Sequence, residues 1–435
     1  MVSAVLFITF FVLLVLNVPI SVCLGLSSAA AILYSGTSLT IVATNIYSGI
    51  SKFLLLAIPF FVLSGNIMAK AGISTRLIRF VDTCVGHRKG GIANVCIIVA
   101  CFFGAISGSG PATVAALGAV LIPAMIERGG FSAAFSTALM ATSSSIAIVI
   151  PPSIAFVVYA SITGVSIGDM FMAGIIPGIL MGLALVVVVM LEVRRNHVVP
   201  SNVEKASAKE RWNAFKDAFW GFLMPVIILG GIYGGIFTPT EAAAVSVVYG
   251  LFVGMIIYKE VKFKDLWEIL IDSAKTTGGI MLIVACASLF SFVCTRFGIS
   301  TAASELLARV AGNQFTFLLI CNIIFLIAGC FIDANSAMYI FIPIMLPVCK
   351  ALGYNVIAFG IMATVNLAIG QVTPPVGVNL FVAIGIKLRD GIRVTLQEIS
   401  RAVVPMVAAS IVVLLIITYI CLLYTSPSPR DMRRS

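Results

Sequence analysis

The sequence predicts an all-α, polytopic membrane protein with two repeats of inverted topology, each containing a re-entrant helical hairpin and a helix broken at a Pro-Pro pair. Three observations predict this fold: an apolar composition, basic residues confined to short loops, and an internal repeat. Of 435 residues, 60% are hydrophobic and 10% are charged, whereas soluble domains average about 25% charged residues. Many apolar segments are close in length to the roughly 20 residues that a membrane-spanning helix needs. Lipid is therefore the expected solvent for these segments.

The formal net charge of +10 comes from basic residues in short polar loops between the apolar segments. Loops retained in the cytoplasm carry such an excess, so we assign the charge to membrane topology and expect no nucleic-acid partner. With these loops on one side, the segments 96–126 and 315–349 must each return to the side on which they start. The basic loops lie at 70–89, 128, 194–216, 259–264 and 387–393.

The first hairpin is predicted over 92–127. Its first arm, 92–106, has 15 residues, or roughly 22 Å of helix at 1.5 Å per residue, which is too short to cross the membrane. Glycine and proline in 107–111 then break the helix. A second hairpin is predicted over 315–350, with its break at 333–336, and is expected to open from the opposite side of the membrane.

Three short motifs recur at nearly constant separations of 222, 223 and 224 residues. In each half, the hairpin is followed by a helix that ends at Pro-Pro and by a shorter continuing helix, which predicts broken helices over 131–163 and 354–386. Inverted repeats with paired broken helices are typical of secondary transporters. The recurring pairs are Met140-Ala141-Thr142 with Met362-Ala363-Thr364, Pro151-Pro152 with Pro374-Pro375, and Ile122-Pro123 with Leu346-Pro347.

Non-helical backbone at membrane depth predicts a binding site, because each unmet hydrogen-bonding group there costs several kcal/mol. The breaks carry small hydroxyl and amide side chains, whose oxygens suit a hard cation such as sodium. Helix C-termini favour cations and helix N-termini favour an anionic substrate. The alternative is that glycine and serine here serve only close helix packing.

Asp333 is the acid at a hairpin tip, where a carboxylate near the membrane midplane costs about 3 kcal/mol on insertion scales. Two roles are compatible with its position: a cap for the helix that follows, or a ligand in or beside a cation site.

Further stretches identify a family. The most specific is Thr-Pro-Thr-Glu-Ala-Ala-Ala at 238–244, and the others lie at 17–20, 56–65, 107–118, 143–153 and 370–377. On these residues the chain resembles, over 1–423, the large membrane subunit of tripartite ATP-independent periplasmic (TRAP) transporters.

The resemblance implies sodium-coupled import of an organic acid anion, such as a C4-dicarboxylate or sialic acid, across the bacterial inner membrane. It implies two protein partners, a small membrane subunit on a separate chain and a periplasmic substrate-binding protein. It implies no cofactor besides sodium as the coupling ion. It also implies an elevator mechanism, in which a transport domain moves against a static scaffold.

Mapped onto this sequence, the resemblance places scaffold helices in 1–75 and 196–275 and the transport-domain repeats in 76–195 and 276–423. Residues 424–435 are expected to be a non-native tail. By position, the first sodium site would comprise Ser107, Gly108, Ser109, Ser143, Ser144 and Ser145. The second would comprise Gly329, Asp333, Gly370 and Thr373. Substrate would lie between the tips, near Ser109, Gly110, Pro111, Thr113, Pro152, Asn335, Ser336 and Pro375.

Other functions are less compatible with these residues. A serine enzyme needs a base at membrane depth, but both histidines, His87 and His197, lie in basic loops, and no phosphate-binding loop for ATP is present. No enzymatic activity is therefore expected. A binding-protein-independent sodium-coupled anion carrier is the main alternative, and a channel with re-entrant filters is a weaker one.

Overall fold

The computed structural model describes residues 1–195, 205–388 and 393–424. Within these ranges every regular element is helical, so the all-α prediction is confirmed. Nine helical segments of the described chain are long and apolar enough to span a membrane. The predicted non-native tail lies outside the described residues from 425 onward, as do parts of the basic loops 194–216 and 387–393.

The regions predicted as scaffold contain six α-helices and the N-terminal part of a seventh, α13, which continues to Arg296 across the predicted boundary at 275. Among these helices, α1 packs on α2, α4 on α12, and α13 on α2, α3 and α4. A 3₁₀ turn, Phe53–Leu56, leads into α4, and a π-helical segment, Phe252–Ile257, continues α12. The seven helices are α1 (Val2–Val15), α2 (Ile20–Tyr34), α3 (Thr40–Ile50), α4 (Ala57–Lys70), α11 (Ala208–Tyr233), α12 (Pro239–Leu251) and α13 (Phe263–Arg296).

The most family-specific stretch begins α12. The Thr238 side chain accepts a hydrogen bond from the Glu241 backbone N–H at 3.3 Å, and the Glu241 carboxylate accepts one from the Thr238 backbone N–H at 2.8 Å. This is a capping box, with Pro239 at the first helical position, where its missing N–H is not needed. Glu241 therefore stabilises a helix start in the region predicted as scaffold.

The two remaining regions contain the same six elements in the same order. In each, an amphipathic 13-residue helix precedes the hairpin and a 29-residue helix follows the broken helix. The amphipathic helices extend the repeat beyond the motifs visible in the sequence. The first set is α5 (Ile73–Val85), α6 (Gly91–Ser107), α7 (Gly110–Glu127), α8 (Ala133–Ser145), α9 (Ile154–Thr163) and α10 (Ile167–Arg195). The second set is α14 (Ile299–Ala311), α15 (Gln314–Phe331), α16 (Ala334–Ala351), α17 (Val356–Gly370), α18 (Val378–Ile384) and α19 (Leu396–Tyr424).

Both hairpin breaks are shorter than expected. Only residues 108–109 and 332–333 lie outside the helices, so Gly110, Pro111, Asn335 and Ser336 belong to the first turns of α7 and α16. Proline suits the first turn of a helix because its missing N–H would have no intrahelical partner there.

The length argument for the first hairpin is weaker than expected, because α6 has 17 residues and α7 has 18, close to the minimum for a span. Burial of the tips is the better evidence. Ser107 is 7% exposed and Ser336 is fully buried, whereas a loop that joined two complete spans would emerge at the protein surface.

The broken helices are unwound at both Pro-Pro pairs. After α8 the chain forms a short 3₁₀ turn, Ile146–Ile148, and resumes as α9 only at Ile154. The second break separates α17 from α18 over residues 371–377, and both Pro-Pro bonds are cis. Proline cannot donate to the helical ladder, so each pair leaves main-chain groups open for other partners.

Candidate functional site

The tip of the first hairpin rests on the first Pro-Pro break. Gly108 has φ +61°, and a Cβ added there would lie 2.8 Å from the Pro152 carbonyl oxygen and 3.4 Å from the Ile154 nitrogen. Both facts require glycine: the left-handed backbone conformation disfavours a side chain, and the backbone of the break leaves no room for one. The hairpin tip and the broken helix of this repeat thus meet main chain to main chain.

Hydroxyl groups hold the shape of this tip. The Ser107 and Thr113 hydroxyl oxygens are 2.9 Å apart, and the Thr113 hydroxyl lies 2.8 Å from the Ser109 carbonyl oxygen. Three predicted site residues are therefore brought together in one small network. Its oxygens have free lone pairs, which fits the ligand preference of a sodium ion.

The three serines predicted as sodium ligands, at the C-terminal end of α8, differ in whether their hydroxyl groups already have partners. Ser144 and Ser145 donate to carbonyls of their own helix, those of Met140 and Thr142, both at 2.8 Å. The Ser143 hydroxyl lies beside the Cys96 thiol of α6 and makes no conventional hydrogen bond with any described residue. All three serines are fully buried. The Ser143 oxygen is the one that is free to accept a new partner.

At the second tip, Asp333 caps α16. Its carboxylate accepts hydrogen bonds from the backbone N–H groups of Asn335, at 3.0 Å, and Ser336, at 3.2 Å, and from the Ser336 hydroxyl. The capping role is therefore present, and the carboxylate keeps lone pairs for a cation. The Asn335 side-chain oxygen is buried and has no hydrogen-bond partner in the described chain.

Matched close contacts join each hairpin to its broken helix. A Cβ added at Gly370 would lie 2.5 Å from the Gly329 Cα and carbonyl carbon, and a Cβ added at Gly104 would lie 2.7 Å from the Ala147 Cα. Gly329 and Gly370 were both predicted site residues, and the structure places them in contact. Thr373 lies just beyond, in the break, where its hydroxyl donates to the Ile369 carbonyl near the end of α17 at 2.7 Å.

The two repeats meet at Gly110, through Gln371, which lies in the break predicted to hold the second sodium site, and Asn379, which was not predicted. The side-chain amides of Gln371 and Asn379 would each lie 2.8 Å from a Cβ added at Gly110. The Asn379 amide also donates to the Ala141 carbonyl of α8, at 3.4 Å. The oxygens of both amides are buried without a hydrogen-bond partner among the described residues. Second-repeat amides therefore converge on the first hairpin.

A sequence signal for these amides exists. At the separation of 223 residues that relates the Pro-Pro pairs, Gln371 corresponds to Ile148 and Asn379 to Phe156. An amide in one repeat at a position that is apolar in the other indicates a specific polar role, and this comparison would have singled out both residues. Pro375, in contrast, is exposed.

The helix N-termini at the breaks differ in capping. The Ser153 side chain caps α9 and Asp333 caps α16, whereas α7 begins at Ser109 without a side-chain cap. Uncapped N–H groups and the positive end of the helix dipole favour an anion. The helix after the fourth break, α18, also begins without a side-chain cap, but it has seven residues and its Asn379 backbone N–H already donates to the Gln371 carbonyl oxygen at 3.0 Å. The longer uncapped helix, α7, therefore has the N-terminus that is free for a carboxylate, and it begins where the Gln371 and Asn379 amides converge.

Comparison with known proteins identifies the family. A family model described as "Tripartite ATP-independent periplasmic transporter, DctM component" matches residues 7–423. The chain belongs to the DctM family. It is thus a multi-pass membrane subunit of a TRAP transporter, as the resemblance in sequence predicted.

Several curated DctM relatives are similar along most of the chain. The C4-dicarboxylate TRAP transporter large permease protein DctM of Rhodobacter capsulatus is 38% identical over 424 residues, which cover 94% of each protein. Its Pseudomonas aeruginosa counterpart is 41% identical over 398 residues, 91% of each. The isethionate TRAP transporter permease protein DctMQ of Oleidesulfovibrio alaskensis is 40% identical over 96% of this chain, which spans 65% of that relative.

A solved structure shares the fold of this DctM chain. The crystal structure of the Alcanivorax borkumensis YdaH transporter superposes with a TM-score of 0.65 over 89% of this chain and 88% of that one. Its sequence identity is 13%, so the likeness concerns the fold alone.

Replacing Asn379 tests the junction between the repeats. We expect Asn379→Leu, which keeps the branching at Cγ and the number of non-hydrogen atoms but removes the amide, to raise the substrate KM for uptake about tenfold, or roughly 1.4 kcal/mol. The melting temperature should change little, because the substitution also removes a buried oxygen without a partner.

The matched control is Asn66→Leu. Asn66 is half-buried and bonds to Ser273 within the predicted scaffold, at 2.8 Å, so its replacement should leave KM unchanged. An equal rise in KM for both variants would contradict a specific role for Asn379.

Proposed function

We propose that this DctM-family chain catalyses sodium-coupled import of an organic acid anion across the bacterial inner membrane. Substrate would arrive from a periplasmic binding protein, and a small membrane subunit would complete the complex. The observation that carries the proposal is the junction at Gly110, where an uncapped helix N-terminus meets two buried amides from the other repeat.

The substrate carboxylate is assigned to the N-terminus of α7. The N–H groups of Gly110 and Ala112 lie in its uncapped first turn, and the Gln371 amide can turn its N–H₂ group towards a carboxylate. The other tip is less suitable because the Asp333 carboxylate already occupies the start of α16 and would repel a second anion. Asn335 and Ser336 can instead serve the hydroxyl or keto groups of the substrate.

A carboxylic acid is also the substrate class of close relatives. The Rhodobacter and Pseudomonas proteins are named for C4-dicarboxylates, and an Escherichia coli relative, 36% identical over 384 residues, is named for 2,3-diketo-L-gulonate. These compounds share an anionic carboxylate next to polar carbon substituents. The DctMQ relative is named instead for isethionate, a hydroxylated sulfonate, and this chain spans 65% of its length.

Sodium is proposed as the coupling ion because the oxygen groups at both tips fit it. The first tip offers the Ser107–Thr113 hydroxyl pair, and the second offers Asp333 with the free Asn335 oxygen. Ser143 lies beside Cys96, roughly 16 Å along α6 from Ser107, and so is not part of the first tip. Each sodium ion that enters down a 100 mV potential supplies about 2.3 kcal/mol. Two ions would therefore drive accumulation of a monovalent acid.

An elevator movement is proposed from the contacts near the first hairpin tip. Farther away, the ion pairs Arg76–Glu260 and Arg79–Asp217 also join the predicted scaffold and transport regions and would have to break. Lys52, in the loop before α4, donates to the Ser161 carbonyl near the end of α9 at 2.7 Å, and burial lowers the pKa of the Lys52 ammonium group. A Cβ added at Gly65 of α4 would lie 3.3 Å from the Ser107 Cα. Such a contact between small residues leaves no interlocking side chains to oppose sliding.

The test is uptake into proteoliposomes that contain the chain and its small subunit, with radiolabelled C4-dicarboxylates and other organic acids supplied on candidate binding proteins. We expect accumulation above the external concentration only with an inward sodium gradient and a cognate binding protein. Replacement of sodium by potassium at equal ionic strength is the control.

Other results would favour the alternatives. Sodium-driven uptake of free substrate at the same rate without any binding protein would indicate a binding-protein-independent carrier. Ion current without uphill uptake would indicate a channel.

A further inference from the structure

A basic pocket lies away from the hairpin tips, on the cytoplasmic side predicted by the charge pattern. It has a volume of about 440 Å³ and lies between the α5–α6 loop, the start of α6 and the C-terminal part of α10. Arg88 and Lys89 of the loop and Arg194 of α10 line its rim. All three are exposed, and none forms an ion pair with a described residue.

The fold holds these cations together. Gly90, next to Lys89, has φ +69°, and a Cβ added there would lie 2.9 Å from Val193 and 3.1 Å from Val189. The loop is thus packed directly on the last turns of α10, which places its basic residues beside Arg194. Three like charges in one pocket repel one another, so an anionic ligand would stabilise the arrangement.

Below the charges the pocket is apolar. Ile98 of α6 faces Val186, Met190 and Val193 of α10. From Val186 to Arg194 the helix rises by roughly 12 Å at 1.5 Å per residue. A basic rim above an apolar groove of this length matches the head group and the upper acyl chains of a phospholipid in the cytoplasmic leaflet.

Besides the three cations, a buried amide in the pocket restricts which ligand fits. The Asn94 side-chain oxygen lies in the same pocket, is shielded from solvent, and has no hydrogen-bond partner in the described part of the chain. A phosphate offers it no proton, but a head-group hydroxyl does. We propose that this pocket binds an anionic phospholipid with a hydroxylated head group, of the phosphatidylglycerol type, with the phosphate at Arg88, Lys89 and Arg194 and a hydroxyl at Asn94.

Native mass spectrometry of the full chain, purified with its small subunit, tests this proposal. Equal amounts of phosphatidylglycerol, phosphatidylcholine or phosphatidylethanol, an anionic lipid without head-group hydroxyls, are added to delipidated protein. We expect phosphatidylglycerol to be retained at least tenfold more tightly than phosphatidylcholine. The variant R88Q/K89Q/R194Q should lose this preference. The control K205Q/K209Q/K264Q removes three exposed charges from the predicted scaffold and should keep it.

A second variant separates the head-group hydroxyl from the charge. Asn94→Leu should still retain anionic lipids but should bind phosphatidylglycerol and phosphatidylethanol within twofold of each other. Three results would overturn the proposal: equal retention of phosphatidylglycerol by R88Q/K89Q/R194Q and the wild type, equal loss in the control, or displacement of the lipid by millimolar inorganic phosphate, which would indicate a free-anion pocket. None of these measurements depends on transport, so the proposed function stands or falls separately.

Discussion

Gly370→Ala is expected to abolish uptake, to below a twentieth of the wild-type rate per folded molecule. The added Cβ would lie 2.5 Å from two backbone atoms of Gly329 and 3.0 Å from its carbonyl oxygen. No side chain can rotate to relieve this overlap, so α15 and α17 must separate by about 1 Å to restore ordinary contact distances. That separation displaces the second tip from its Pro-Pro break, where ion and substrate groups would need to converge.

Stability gives a second readout of the same variant. Overpacking of a tight interior typically costs about 1–3 kcal/mol, so the melting temperature in detergent should fall as well. The matched control is Gly279→Ala in the membrane-spanning helix α13, where an added Cβ meets no atom within 4 Å. Wild-type uptake and stability in Gly370→Ala would show that this contact is not required.

Asp333→Asn is expected to raise the sodium concentration for half-maximal uptake at least tenfold, or about 1.4 kcal/mol, with little change in melting temperature. Asparagine caps a helix about as well as aspartate, so the bonds from the Asn335 and Ser336 backbone N–H groups survive the change. The negative charge is lost. The variant therefore removes the part of Asp333 that a cation would need while it preserves the cap.

Asp333→Ala completes the comparison. It removes both the charge and the cap, and loss of an N-cap costs about 1 kcal/mol, so this variant should lose stability and sodium response together. If Asp333→Asn keeps the wild-type sodium dependence, Asp333 is a cap alone and the second sodium site lies elsewhere. Uptake should be measured as a function of sodium concentration at constant ionic strength. The apparent affinity for sodium then distinguishes a cation ligand from a helix cap.

Much of the candidate site could be predicted from the sequence because breaks are encoded locally. Glycine and proline interrupt helices wherever they cluster, and lipid tolerates such interruptions only at special places. Residues 107–111 and the Pro-Pro pairs were therefore identifiable. The exact residue at which a helix starts is harder to predict. Asp333 is the N-cap of α16, so Asn335 and Ser336 lie in the helix and not in an unwound tip.

Contacts between distant segments could not be predicted. Asn379 meets Ala141 across 238 residues of sequence, and the approach of Gln371 to Gly110 depends on how α7, α8 and α18 pack together. Asn66 and Asn379 are both asparagines in apolar surroundings, and nothing local distinguishes an amide at a helix pair of the scaffold from one at the junction of the repeats.

Composition and the placement of glycine and proline specify a membrane environment, the helical class and the positions of the breaks. A bilayer requires backbone groups to form hydrogen bonds within their own segment, and each residue type either permits or prevents this locally. Tertiary structure alone decided which oxygens are left without partners. Helix packing places no hydrogen-bond donor of the described chain within about 3 Å, the range of a hydrogen bond, of four buried side-chain oxygens, those of Ser143, Asn335, Gln371 and Asn379.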